Sequence, residues 1–397
     1  MPAVDVLVVG AGPAGCVAAW EAAAAGAGRV LLIERDRAIG APVRCAEGVG
    51  TAGLREFLEP DGAPWVSRHI TGIIFVSPDD TEVRLPPTDV GYVLDRTRFE
   101  PELAERAARA GAAIRIGTEA VGLERAEGPG GGGWRVRLRG PGGEETVTAR
   151  VVIGADGVET MIGRWAGLET RVAARDMESC AQYVVSNIEF DPDAIYLHFG
   201  PSVSPGGYAW IFPKGEGVAN VGLGLVAQRG DGRTVRQYLD DYVARHFPRG
   251  TVTGLTVGGV ISGLTVKRTV TDGVLLAGDA AHMINPLSGG GIVNAMKAGR
   301  LAGRHAARAL AEDDTSAANL QGYHDEWMAL LGDAHAKYYK LKEAVNKLDD
   351  DFFNRLARTI NGIPLENRSV GRVMVSALIH HPSLVPIAAR LFLQELY

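Results

Sequence analysis

Four groups of residues in this chain have the types and spacing to do chemistry. Gly10, Gly12 and Gly15 form a GxGxxG turn, and Glu34 follows 19 residues after the last of them. Asp156 lies in "VVIGADGVET". Asp279 follows Gly278 in "VLLAGDAAHM", ahead of Gly289, Gly290 and Gly291. The stretch "PVRCAEGVG" puts Arg44, Cys45 and Glu47 side by side.

In the first group, Gly10 permits a tight turn, Gly12 lets the backbone approach a pyrophosphate, and Gly15 lets a helix pack close to a sheet. The helix N-terminus offers N–H groups and a positive dipole end to phosphates. An acid at position 34 can accept hydrogen bonds from ribose hydroxyls. The pattern predicts a dinucleotide site; the alternative is a purely structural turn. Asp156 can sit in a simple turn at a strand end. Asp279 can bond a ribityl hydroxyl, with the Gly289–Gly291 amides facing a flavin's pyrimidine edge and a helix N-terminus stabilising negative charge. The alternative is an N-capped helix with a permissive loop.

The elements that must hold these residues are legible from periodicity. Val4 to Val9 is a continuous apolar run, as in a buried parallel strand. An alanine-rich helix to about Ala25 follows, then a strand over Val30 to Ile33. Residues 35–60 read as polar and irregular. "HITGIIFVSPDDTEVRLP" reads as a strand pair with a turn at Pro78–Asp80. "DRTRFEPELAERAARAGA" reads as a capped helix starting near Asp95 or Thr97. Glycine clusters at Pro129–Gly133 and Gly140–Gly143 read as hairpin turns around the alternating "WRVRLR". "TVTARVVIGADG" is a strand returning to the first sheet. Residues 180–264 are strand-like, with a helix at about 234–247. "GVLLAGDAAHMINPLSGGGIVNAMKAGRLAG" is strand, loop and helix, and the chain is helical from Asp314 onward. The β-rich block is therefore an insertion between two parts of one α/β domain.

Composition narrows the classes. The chain has 397 residues, 46% hydrophobic and 22% charged, which suffices for two or three domains. A net charge of −6 without a basic run argues against nucleic acid as a partner. The sequence enters a strand almost at once, so no signal peptide is expected, and no apolar run is long enough to span a membrane. Cys16, Cys45 and Cys180 are an odd set without CxxC spacing, which argues against a disulfide framework and a zinc site. A reducing cytoplasm is expected.

The three glycine and aspartate elements, in this order, resemble the FAD-dependent enzymes of the para-hydroxybenzoate hydroxylase fold. The resemblance implies a Rossmann-like FAD-binding domain over 1–60, 92–165 and 265–312. It implies an inserted antiparallel β-sheet substrate domain over 61–91 and 166–264, and a helical region over 313–397. Cofactor contacts are expected at Gly10, Gly12, Ala14, Gly15, Glu34, Arg35, Arg44, Cys45, Ala46, Arg96, Asp156, Gly278, Asp279, Gly289, Gly290, Gly291 and Ile292. Thr160 stands where that motif often has Ser. Arg96 matches an arginine placed near the cofactor; the alternative is a solvated first-turn charge.

"YAWIFPKGEGVANVGLGL" and "PVRCAEG" resemble the geranylgeranyl reductase family. The resemblance implies saturation of isolated prenyl double bonds, with FAD as cofactor and NAD(P)H or ferredoxin as donor. Its expected partner is an apolar isoprenoid-like molecule or lipid, with peripheral contact at the inner membrane face open and the oligomeric state unset. In a strand, Tyr208, Trp210 and Phe212 share one face, as a substrate wall or as core. An isolated alkene needs a proton donor as well as a hydride. Cys45 and Glu47 are the candidates, with cavity lining as the alternative; His282 is another titratable neighbour. A flavin monooxygenase or halogenase on the same fold is the competing function, although the halogenase pattern WxWxIP reads YAWIFP here. The apolar stretch from Val373 to Tyr397 either closes a tunnel, touches a membrane or packs as core helix.

Overall fold

A computed structural model of the chain describes residues 3–126 and 133–369, together with 371, 372 and 376. Most of the stretch Val373–Tyr397 and residues 127–132 lie outside the described residues. The chain forms two compact units. The first comprises Met1–Val43, Arg96–Val172 and Ile261–Ala336; the second comprises Arg44–Asp95, Ala173–Val260 and Lys337–Tyr397. The division falls at Val43, not near residue 60. It assigns 313–336 to the first unit and the remaining helices to the second.

The first unit is built on an eight-stranded sheet. Val274–Leu276, Gly143–Gly154, Ala3–Val9, Val30–Ile33 and Ala113–Arg115 run parallel in that spatial order. The central strand is continuous apolar sequence because both its faces are covered: Val6, Leu7 and Val8 are fully buried. Glu119–Arg125 and Trp134–Gly140 pair antiparallel, as do Trp134–Gly140 and Gly143–Gly154, so the Gly140–Gly143 cluster does join hairpin strands; all but Gly133 of the Pro129–Gly133 cluster lies outside the described residues.

Helix Pro13–Ala24 begins with proline at its first turn, where a missing N–H costs nothing. It crosses helix Ile292–Ala311 at backbone distance. A Cβ at Gly299 would stand 2.2 Å from the Ala14 carbonyl oxygen, and one at Gly303 would stand 2.5 Å from that of Ala18. The last strand–helix unit of the sequence thus returns to the first one.

The second unit holds a seven-stranded sheet in the order Thr251–Ile261, Met177–Ser186, Val218–Leu225, Tyr208–Gly215, Ala194–His198, Gly72–Val76 and Glu82–Arg84. The expected antiparallel sheet has one parallel join, between Ala194–His198 and Gly72–Val76. Those strands are far apart in sequence, so no hairpin turn dictates their direction. Helix Val235–His246 covers one face, with Tyr238, Leu239, Tyr242 and Val243 against Ala209, Ile211, Val221 and Leu223. A capping box between Thr234 and Gln237 starts it.

Residues 35–60 are less irregular than their composition suggests. Gly48–Gly50 is a strand paired with Gly91–Leu94, which also pairs with Val66–Ile70. Thr51–Arg55 is a short helix. A three-residue strand between glycines carries no periodicity, and only its distant partner creates it.

On helix propensity alone, Gly299→Ala should stabilise the protein by up to about 1 kcal/mol. Here the new methyl group meets backbone, so a lowered thermal midpoint is expected. A raised midpoint would mean the two helices can separate without cost.

Candidate flavin and substrate sites

The glycine turn has the geometry of a phosphate cradle. Gly10 has φ +98°, a left-handed value that favours glycine, and a Cβ there would lie 2.3 Å from the Ala155 carbonyl oxygen. A Cβ at Gly15 would lie 1.8 Å from the Gly10 carbonyl oxygen. Gly12 differs: its Cβ would meet nothing within 4 Å. Two glycines are thus demanded by packing, and the middle one opens onto space where a pyrophosphate fits. Glu34 Oε2 accepts the Ala11 N–H at 2.7 Å and Oε1 accepts the Asp36 N–H at 2.9 Å, which ties the acid to the turn. Cys16 is buried and donates to the Ala11 carbonyl at 3.0 Å; burial pushes its thiol well up, as befits packing.

Asp156 caps the short helix Ile162–Trp165. Its Oδ2 accepts the N–H groups of Met161 and Ile162 at 2.7 and 3.0 Å, and its Oδ1 accepts the Thr160 hydroxyl at 2.7 Å. A threonine hydroxyl serves here as a serine would. Arg35 is exposed and pairs with Glu159 at 3.3 Å. Arg96 is not a solvated charge: it pairs with buried Glu100 one turn on. Arg96 also acts on Asp279, whose carboxyl is pushed up by burial and pulled down by that guanidinium.

The 285–291 loop is closed partly on itself. The Gly289 N–H bonds the Asn285 carbonyl at 2.9 Å, and the Gly290 N–H bonds Ser288 Oγ at 3.3 Å. Two of the three glycine amides are therefore already engaged. The unspent donors belong to the first turn of helix Ile292–Ala311, where N–H groups lack partners within the helix. Gly278 has φ +67°, and a Cβ there would lie 3.0 Å from that of Ala14, so the third element packs on the first. His282 ends a short 3₁₀ turn at φ +58°, buried, with Nε2 3.2 Å from the Thr170 carbonyl; it is a packing residue. Open space at Gly12, Glu34 on the turn and the withdrawn carboxyl of Asp279 together fit FAD.

Arg44, Cys45, Ala46 and Glu47 belong to the second unit. Arg44 is exposed, with its Cβ near Gly258. Glu47 is buried at φ +72° and is not placed as a proton donor. Its Oε2 accepts from Lys214 Nζ at 2.6 Å and from Asn220 Nδ2 at 2.9 Å. Lys214 also donates to the Leu94 carbonyl, Asn220 to the Ala46 carbonyl at 3.2 Å, and the Leu94 N–H to the Glu47 carbonyl at 2.9 Å. An oxygen engaged by an ammonium and an amide anchors the loop. Cys45 is part-exposed, and its Sγ accepts the Glu47 N–H at 3.2 Å.

The aromatic stripe lies on the sheet face opposite the helix. Ala209 and Ile211 face the helix core, so Tyr208, Trp210 and Phe212 project the other way. Trp210 lies flat on the neighbouring strand: a Cβ at Gly222 would stand 2.6 Å from its Cζ2. Its Nε1–H donates to Gln182 Oε1 at 2.9 Å, and Gln182 Nε2 donates to the Cys45 carbonyl at 3.1 Å. Tyr208 stacks edge-on to Trp210 at 5.9 Å and against Phe199 at 5.8 Å. Phe212 packs on Gly48, where a Cβ would stand 2.5 Å from the ring. Burial pushes the Tyr208 hydroxyl up, with Glu178, Cys180 and Cys45 adding; the Cys180 thiol rises for the same first reason. Gln182, Lys214 and Asn220 are not among the residues the sequence singles out, and Cys180 enters there only as one of three cysteines. The available signal was polar side chains alternating into an otherwise apolar β-block.

Residues 176–260 match the geranylgeranyl reductase catalytic domain, and residues 5–62 match an FAD binding domain. A digeranylgeranylglycerophospholipid reductase of Methanocella arvoryzae is 43% identical over 386 residues, 96% of this chain and 97% of that one. The chain belongs to the geranylgeranyl reductase family. A second relative of the same name, from Methanosphaerula palustris, is 40% identical and covers 96% of each chain. The solved structure of a geranylgeranyl bacteriochlorophyll reductase-like protein from Thermoplasma acidophilum matches with TM-score 0.89 and 33% identity, over 98% of this chain and all of that one. A flavin-dependent brominase matches with TM-score 0.69 at 18% identity, over 95% and 98% of the two chains, which shows a shared fold alone. The family's cofactor is FAD, and the halogenase alternative falls away.

Gly12→Val should yield folded protein that does not retain FAD, because the side chain enters open space and only the pyrophosphate is blocked. Flavin absorbance after gel filtration reads this directly; retained flavin would refute the cradle. Lys214→Met should cost about 3 kcal/mol in urea unfolding, because it strands a buried carboxylate. Adding Glu47→Gln to it should recover part of the loss, and a purely additive double variant would show that the pair is not coupled.

Proposed function

We propose that this chain saturates the geranylgeranyl double bonds of a glycerophospholipid-linked isoprenoid. The observation that carries the reading is the aromatic face of Tyr208, Trp210 and Phe212, hydrogen-bonded through Gln182 to the backbone of Cys45, in a chain 43% identical to such a reductase. Bound FAD supplies hydride from its N5. The remaining chemistry belongs to the side chains. An isolated alkene offers no carbonyl to take up charge, so proton delivery must accompany hydride.

The aromatic wall excludes water from the prenyl chain and leaves few competing proton sources. Cys45 is the residue we assign to the proton. Its Sγ accepts the Glu47 N–H, which holds the sulfur in place and leaves the thiol hydrogen for the alkene carbon. Cys180 and Tyr208, both held neutral by burial, stand close enough to act on it electrostatically; the proton that Cys45 gives up is replaced from solvent once product has left. Glu47 is the positioning group: through Lys214 and Asn220 it fixes the backbone direction of the thiol. The expected flavin contacts at Gly10, Ala14, Gly15, Arg35, Arg44, Ala46, Arg96, Asp156, Gly278, Asp279, Gly291 and Ile292 belong to the same reading.

No helix among the described residues is long and apolar enough to cross a membrane. Peripheral contact with a bilayer is supported by a lipid substrate and by Val252, Leu255 and Val257, which are exposed on the edge strand Thr251–Ile261.

The decisive experiment is anaerobic turnover of a digeranylgeranylglycerophospholipid by dithionite-reduced enzyme, read by mass spectrometry. Each saturated bond should add two hydrogens. NADPH and reduced ferredoxin, tested in place of dithionite, identify the donor. Cys45→Ser should slow product formation while flavin content and spectrum stay unchanged. No mass gain, or gain only with oxygen present, would overturn the reading.

A further inference from the structure

A group of side chains in the second unit, on the sheet face away from Trp210, has the composition of a metal centre. Asp80 lies in the turn between Gly72–Val76 and Glu82–Arg84, His198 ends the strand Ala194–His198, and His246 ends the helix Val235–His246. One ring nitrogen of each histidine and one carboxylate oxygen of Asp80 lie within 4.8 Å of one another. The two imidazoles meet edge to face, with centroids 5.2 Å apart.

A second, independent observation points to a ligand. His198 is only 5% exposed, yet its Nε2 is buried with no hydrogen-bond partner. Buried polar atoms of this kind are rare, and each calls for an explanation. The Tyr242 hydroxyl is buried and without a partner as well, and its ring packs on both His198 and His246. Two such atoms on packed rings, with centroids 5.2 Å apart, are what an unfilled ligand position would leave.

We propose that Asp80, His198 and His246 form a binding site for a divalent transition-metal ion of the zinc class, with water as the fourth ligand. Two imidazoles and one carboxylate suit zinc; magnesium and calcium prefer all-oxygen sites. Zinc bonds of about 2.0–2.1 Å need ligand atoms roughly 3.3 Å apart. Asp80 and His246, whose side chains are 48% and 19% exposed, have the freedom to close that gap. The metal-bound water gives the Tyr242 hydroxyl a partner.

Arg245 is the charged group that faces the site. Its Nη2 donates to Asp80 Oδ2 at 2.5 Å, while Oδ1 points toward His246 Nε2 at 3.9 Å. The carboxylate is thus divided, with one oxygen held from outside and the other turned to the metal, the usual arrangement of an outer-sphere partner. The ion would clip a hairpin turn, a strand end and a helix end together, on the face opposite the aromatic wall. Its role is structural and separate from prenyl reduction.

The test uses full-length flavinated protein, stripped with EDTA, dialysed and titrated with zinc chloride by calorimetry. One equivalent per chain should bind with an affinity that His246→Ala and Asp80→Asn each lower by about tenfold or more. Flavin absorbance should stay unchanged, and zinc should raise the thermal midpoint of the wild type but not of the variants. Melting in EDTA shows that each variant is folded; if one is not, the other decides. Absence of a stoichiometric equivalent in the wild type, or unchanged binding in a folded variant, overturns the proposal.

Discussion

Trp210 can lie flat on its neighbouring strand only because residue 222 has no side chain. The rest of the aromatic face depends on that contact. A flattened indole presents its N–H to Gln182 and is itself buried on the sheet. Gln182 passes the constraint to the Cys45 carbonyl. The spacing that carries the family resemblance, an aromatic strand followed by a GxG strand, thus has a mechanical meaning. Gly222 seats the indole, and a Cβ at Gly224 would lie 2.8 Å from Cys180 Sγ.

The first unit rests on a similar economy of side chains. Gly10, Gly15, Gly299 and Gly303 each stand where a methyl group would strike a carbonyl oxygen. Removing those four side chains lets a strand, a turn and two helices converge at backbone distance. Gly12 belongs to the same motif but opens onto empty space, so packing does not require it. Packing and binding are therefore separable within a six-residue pattern.

Much of this was legible in the sequence, for reasons that differ by element. The strand at Val4–Val9 and the helix after it announce themselves through burial on both faces and through the glycine spacing. The aromatic stripe showed its shared face by alternation alone, but alternation does not say which face is core. That was decided by Ala209 and Ile211 packing under Tyr238 and Leu239. Glu47 was read as an acid candidate because it neighbours Cys45. Its partners Lys214 and Asn220 are more than 160 residues away, and no local pattern announces such a pairing. The strand Gly48–Gly50 was missed for the same reason. The Asp80, His198 and His246 group is spread over three elements and has none of the close spacing by which metal motifs are usually found.

Glu47 carries a left-handed backbone at a residue that is not glycine, a conformation worth roughly 1–3 kcal/mol of strain. Glycine would relieve that strain but surrender the carboxylate that Lys214 and Asn220 hold. An apolar side chain keeps the strain and loses the anchor too. Glycine and apolar substitutions at this position are therefore each uphill in at least one respect. Losing the carboxylate at position 47 also strands the Lys214 ammonium, so the two positions are tied and a tolerated change at one is expected to come with a change at the other.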